Sequence, residues 1–169
     1  ILVYRSTGDA LAAAESPTGT MRGVAGGLNR DSDLDNGIIA HEYCHGLSIR
    51  LTGGRNTSSC LSGSQQGGEG WSDFCGLFLT GQAGDTGATP RGIGTYVLYQ
   101  PRSGGGIRPY RYSTDLSVNP MTYQDLADGT EFGPLSVPHG VGSVWATTLW
   151  EMLWALVDKH GFDPDRYAG

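Results

Sequence analysis

Lysine is almost absent. Lys159 is the only one in 169 residues, and the chain carries a formal net charge of -6. No run of basic residues exists, so binding to nucleic acid or to an anionic membrane surface has no electrostatic basis. Charge of either sign is sparse, at 17% of residues. Long apolar runs are missing too: no stretch reaches the roughly 20 residues that a membrane-spanning helix needs. Cysteine is limited to Cys44, Cys60 and Cys75, an odd number that allows at most one internal bridge and leaves the compartment open. The first residues, ILVYRSTGDA, show neither an initiator Met nor a basic segment followed by an apolar one. The last residues, FDPDRYAG, follow directly on an apolar helix. Both ends are expected to be cut from a larger protein.

What the chain has is glycine, 28 residues of it, beside a hydrophobic content of 38% with aromatics spread throughout. That balance predicts ordered loops between a few apolar elements rather than disorder. Residues 1–30 offer no firm element. The acidic segment DSDLDNG (31–37) provides Asp35 or Asn36 as a helix cap, and its other acids suit the positive end of a helix. A helix is predicted over 37–51 from Ile38, Ile39, Leu47 and Leu51, closed by Gly53-Gly54. Polar loop fills 54–66, and a second helix is predicted over 67–80, ended by Gly81. Residues 81–120 are rich in Gly and Pro, with one β-prone run, TYVLYQ. MTYQDLAD (121–128) is a short helix candidate. The strongest pattern lies at 139–160, where Val144, Trp145, Leu149, Met152, Leu153, Leu156 and Val157 predict a wide apolar face and Gly161 a stop. Trp145, Trp150 and Trp154 are read as core and contact residues. The fold class is mainly α.

Within the first helix, residues 41–48 read HEYCHGLS. Residues four apart share one face of a helix. His41 and His45 can therefore offer two imidazoles to one metal ion, while Glu42 beside them reaches a water rather than the metal. This is the physical content of HExxH: two zinc ligands and a general base. Zinc lowers the pKa of a bound water, and the carboxylate accepts its proton during attack on a carbonyl. The motif alone allows either a metal site or two histidines packed in a helix.

A catalytic zinc takes a third protein ligand and keeps one open position. Glu69, in GGEGWSDF on the second predicted helix, is the best candidate, 24 residues beyond His45. Asp73 follows four residues later on the same face. Metal-bound histidines usually donate their far N–H to a carboxylate, and Asp73 fits that role. Two helices in contact, with His41 and His45 facing Glu69 and Asp73 behind, are the expected geometry.

Four segments in this order, HEYCHGLSIRLTGG, GGEGWSDF, RPYRYSTDLSVNPMTY and VGSVWATTLWEMLWALVDKHG, resemble the fungalysin family of secreted zinc metallopeptidases. That family is similar in its catalytic core to the thermolysin-like gluzincins. The resemblance covers about residues 31–161. It implies the helical catalytic part of an α+β thermolysin-like zincin, with the HExxH helix packed on a Glu-ligand helix and a long C-terminal apolar helix. It implies His41, His45 and Glu69 as zinc ligands, Glu42 as catalytic base, and His139, at the start of the late helix, as the group that stabilises the oxyanion. Independently, a histidine between proline and glycine at a helix start suits a cleft better than a core.

The chain departs from the family pattern at Cys44, where relatives often carry a small or hydroxyl residue. Three positions beyond His41, it lies off the ligand face and is expected as a buried thiol. The resemblance also implies a larger mature enzyme with a β-rich N-terminal part forming one side of the cleft. Residues 1–30 are thus read as a partial N-terminal segment and 31–169 as the zinc metallopeptidase catalytic domain, truncated. The implied partners are a protein or peptide substrate and a propeptide or N-terminal part of the same enzyme; the implied location is extracellular.

Weaker signals remain. DSDLDNG resembles the opening of a calcium loop, but the glutamate an EF-hand needs at its twelfth position is Glu42 and the glycine comes one place late. A cap is the better reading, with a calcium site of another kind the alternative. Asn56-Thr57-Ser58 is a glycosylation sequon in a predicted loop. Arg108 and Tyr110, in GIRPYRYS, are candidates for contact with a substrate carbonyl, and equally for a salt bridge or loop anchor. Two further hypotheses stand beside the peptidase: a non-catalytic metal-binding fragment or degenerate peptidase-like module without a complete cleft, and a calcium-binding interaction domain.

Overall fold

A computed structural model describes residues 30–127, 135–163 and 165. Residues 1–29, most of the expected N-terminal segment, lie outside the described residues, as does the last position of the 121–128 helix candidate. Three α-helices carry the fold: α1 (Asn36–Gly53), α2 (Gly68–Leu79) and α3 (His139–His160). Two short 3-10 turns, Ser32–Leu34 and Tyr123–Leu126, precede α1 and α3. The fold is helical as the sequence predicts, with no β-strand among the described residues.

Each boundary has a local cause. Asp35 caps α1: one carboxylate oxygen accepts from the N–H groups of Gly37 at 3.0 Å and Ile38 at 3.3 Å. Its other oxygen accepts from the N–H of Tyr96 at 3.2 Å and so ties a distant loop to the helix start. Asp31 accepts from the N–H of Asp33. The α1 helix ends where Gly54 adopts φ +73°, a backbone conformation that favours glycine. The Thr80 hydroxyl closes α2 by donating to the Gly76 carbonyl at 2.7 Å.

The α2 helix packs against α1 on one side and α3 on the other, while α1 and α3 make no helix-to-helix contact. Glycine permits both crossings. A Cβ on Gly76 would lie 2.8 Å from the Gly37 carbonyl oxygen of α1. A Cβ on Gly70 would overlap the Gly142 carbonyl oxygen of α3. A disulfide between Cys44 and Cys75 joins α1 to α2, with Cα atoms 6.4 Å apart. The expectation of a buried Cys44 thiol is thereby corrected. Cys44 does lie off the ligand face, but that direction is the α2 side, where Cys75 meets it.

The apolar core gathers Leu77, Ile93, Tyr112, Ala146, Trp150 and Trp154. Two further expectations change. On α3 the buried side runs through Val141, Val144, Thr147, Trp150 and Trp154, while Met152 and Leu156 are about half exposed. Apolar residues occur nearly all round this helix, so its periodicity cannot select one face; the glycine crossing does. On α1, Ile39, Leu47 and Leu51 are exposed, and the buried residues are His41 and Cys44. The β-prone TYVLYQ run forms turns, with Tyr99 at φ +58° and the Gln100 N–H returning to the Thr95 carbonyl. Its aromatics stack instead on the Arg30 guanidinium, which lies 4.5 Å from the Tyr96 ring and 4.0 Å from that of Tyr99.

Candidate metal centre

One turn of α1 separates His41 from His45, and the crossing with α2 brings Glu69, in the first turn of that helix, against both. Nε2 of His41 lies 3.0 Å from Nε2 of His45 and 3.3 Å from Oε2 of Glu69. The His45 Nε2 to Glu69 Oε1 distance is 3.4 Å. Ligands about 2.0–2.1 Å from a tetrahedral zinc stand about 3.3–3.4 Å apart, and two nitrogens with one carboxylate oxygen are a normal zinc donor set. Glu69 meets the two imidazoles through different carboxylate oxygens, and one ligand atom from each of the three residues lies within 4.8 Å of the others, so the three side chains form a triangle of donor groups with the chemistry of a zinc site.

Behind the triangle, Asp73 is completely buried. A carboxylate has about four acceptor positions, and protein groups occupy all four. Oδ1 meets Nδ1 of His41 at 2.8 Å and Nη2 of Arg108 at 2.8 Å. Oδ2 accepts from Nε of Arg108 at 2.7 Å and from the Tyr112 hydroxyl at 2.6 Å. The His41 contact is close but bent, with the Nδ1–H axis off the line of a full hydrogen bond. Even so, it places a carboxylate on the far nitrogen of a metal-facing imidazole, which favours the tautomer with Nε2 free for a metal. Burial pushes the Asp73 pKa up, but the bonds from Arg108, His41 and Tyr112 outweigh it and hold the carboxyl below its usual value. Burial and the Asp73 charge push the Tyr112 phenol well above its ordinary value, so it stays a protonated donor. Burial opposes the charge on Arg108, but Asp73 more than compensates and raises its pKa.

Arg108 also reaches the triangle: Nη2 lies 3.3 Å from Oε2 of Glu69. Its guanidinium thus spans Asp73 and Glu69 in the manner of a salt-bridge anchor. Tyr110 is half buried two residues on. His139, the first residue of α3, points its Nε2 to within 3.5 Å of Oε1 of Glu69 while its side chain stays 56% exposed. It therefore stands at the open side of the triangle. Glu42 is exposed and makes no hydrogen bond or ion pair among the described residues.

Tyr112 is the site residue that sequence reasoning missed. The segment GIRPYRYS drew attention to Arg108 and Tyr110, yet it is Arg108 and Tyr112 that converge on Asp73, 35 and 39 residues away in sequence. No local spacing encodes that meeting. The available signal was indirect: a carboxylate in the middle of a buried helix needs partners from elsewhere.

A helical fold that brings two histidines one turn apart against a glutamate on the neighbouring helix forms a group that could hold a metal ion, the pattern of a metallopeptidase. Comparison with known proteins gives the same class. The fungalysin metallopeptidase family (M36) matches residues 24–169, and the chain belongs to that family. It is 48% identical over 134 residues to the extracellular metalloproteinase MEP of Fusarium vanettenii and 45% identical over 134 residues to that of Neosartorya fischeri. It is 47% identical over the same length to extracellular metalloproteinase 4 of Trichophyton soudanense. Each match takes in 78% of this chain. The chain spans about a fifth of the first two relatives (20%) and about a third of the last (32%).

Proposed function

We propose that this chain holds the zinc centre and the catalytic groups of a secreted endopeptidase, with His41, His45 and Glu69 as ligands. The observation that carries this is the cluster of His41, His45 and Glu69, with one ligand atom from each within 4.8 Å of the others, backed by a buried carboxylate on His41. Zinc, when bound there, supplies a Lewis acid that polarises the scissile carbonyl and acidifies water.

The remaining steps fall to the chain's own side chains. Glu42, one residue beyond His41 and free of partners among the described residues, accepts the proton of the attacking water and delivers it to the leaving amine. His139, at the open side of the ligand triangle, donates to the oxygen that gains charge as the carbonyl is attacked. Arg108 holds Glu69 and Asp73 in place through its one guanidinium. Extracellular operation agrees with the names of the relatives, with a Cys44–Cys75 disulfide, and with the finding that no described helix is long and apolar enough to cross a membrane.

Elemental analysis is expected to find one zinc per chain, and hydrolysis of an unstructured protein such as casein is expected to stop on adding a chelator. Glu42→Gln is expected to keep the zinc and lose hydrolysis by about 10²–10⁴-fold. Undiminished hydrolysis in that variant would sink the assignment of the base.

A further inference from the structure

We propose that Tyr112 is a positioning residue of the metal centre: its phenol holds Asp73 in the rotation that presents Oδ1 to His41, and so fixes how the His41 ring addresses the ligand triangle. The proposal rests on the zinc reading given above and adds a residue to it. The chain of contacts is short. The Tyr112 hydroxyl donates to Oδ2 of Asp73 at 2.6 Å, and Oδ1 of the same carboxylate lies 2.8 Å from Nδ1 of His41. Turning the carboxylate about its bond to the Asp73 side chain would move both oxygens together. A fixed donor on one oxygen therefore sets the place of the other.

Tyr112 is held more firmly than Arg108, the other donor to Oδ2 of Asp73. Its main chain pairs with Arg91 in both directions, at 3.0 and 2.8 Å. Its ring is 1% exposed and packs in the core with Leu77, Ala146 and Trp150. Arg108, by contrast, comes from a run of turns beside a half-exposed Ile107, and its Nη2 is shared between Asp73 and Glu69. Tyr112 is neutral, so its removal changes orientation without changing the charge of the site.

The experiment is a zinc titration of the full chain against a chromophoric chelator, for the unsubstituted protein, Tyr112→Phe, Asp73→Asn and the double variant. Tyr112→Phe is expected to weaken zinc binding about 10-fold, the lower end of what loss of an outer partner of a metal ligand produces. With cobalt in place of zinc, the visible absorption bands are expected to shift, because they report ligand orientation rather than stability. Adding Tyr112→Phe to Asp73→Asn is expected to change little, since the phenol then has no carboxylate to hold. Unchanged affinity and an unchanged cobalt spectrum in Tyr112→Phe would overturn the proposal, as would an effect that simply adds to that of Asp73→Asn. Should Tyr112→Phe not fold, a ring-fluorinated tyrosine at position 112, nearly the same in shape but a stronger donor, is expected to shift the cobalt spectrum, and an identical spectrum counts against the proposal. If the unsubstituted chain binds no zinc, the metal-centre reading falls and Tyr112 with it. If that chain binds zinc and the variants match it, only the Tyr112 proposal falls.

Discussion

Gly142 of α3 lies directly against Glu69 of α2: a Cβ at position 142 would sit 2.5 Å from the Glu69 Cβ and 2.8 Å from the Gly70 nitrogen. The third ligand candidate is thus seated by the absence of a side chain on the neighbouring helix. Gly142→Ala is expected to push the helices apart, at a cost of about 1–3 kcal/mol in stability, and to weaken zinc binding by moving Glu69. Gly46, on α1, has nothing within 4 Å of where its Cβ would be, so Gly46→Ala is expected to raise stability by up to about 1 kcal/mol. Urea unfolding of both variants checks the contrast; equal effects would contradict it.

His139 touches Glu69 but is not among the three clustered ligand candidates. His139→Ala is expected to lower kcat for peptide hydrolysis by roughly 10²–10³-fold while leaving zinc affinity within a few-fold of the original. Steady-state kinetics together with a zinc titration separate the two effects. A large loss of zinc with kcat per bound zinc unchanged would assign His139 to the metal instead.

The Cys44–Cys75 bridge closes a loop across a sequence separation of 31. A loop of that size constrains the unfolded chain by about 3–4 kcal/mol. Replacing both cysteines by serine is expected to lower stability by that order and to loosen the contact that sets His41 and His45 against Glu69. Chemical denaturation of the double variant, with and without zinc, measures both. A variant as stable as the parent would show that the helices hold their crossing without the bridge.

Asp85 binds two guanidinium groups. Nη1 of Arg102 donates to it at 2.7 Å, its Nη2 also pairs with it, and Nη1 of Arg91 lies 3.5 Å away. The Arg102 hydrogen bonds outweigh burial and hold the Asp85 pKa below its ordinary value. Burial and the neighbouring Arg102 charge lower the Arg91 pKa to about 10, so Arg91 stays charged throughout the acid range in which Asp85 titrates. A carboxyl whose pKa is depressed on folding stabilises the fold above its unfolded pKa, roughly 3.9, and that contribution is lost as pH falls through the folded value. Asp85→Asn is therefore expected to be clearly less stable than the parent at pH 7, with the difference shrinking below about pH 4. Unfolding curves at several pH values check the sign; a gap that widens on acidification would refute it.

Much of the site was legible because its spacing is local. His41 and His45 are one helical turn apart, as are Glu69 and Asp73, and Asp35 stands where a cap must stand to bond Gly37 and Ile38. Such relations depend only on the 3.6-residue repeat and on the unpaired N–H groups of a helix start. Composition and periodicity likewise determined that helices dominate and where α1, α2 and α3 lie to within a few residues.

The tertiary structure decided what joins across long separations. Helix crossing angles and depths, set by Gly37 against Gly76 and by Gly70 against Gly142, determine which side chains meet, and a single sequence does not write these down. For that reason the pairing of Cys44 with Cys75, the buried face of α3 and the convergence of Arg108 and Tyr112 on Asp73 appeared only in three dimensions. The sequence named the candidate ligands; packing supplied the groups that hold them still.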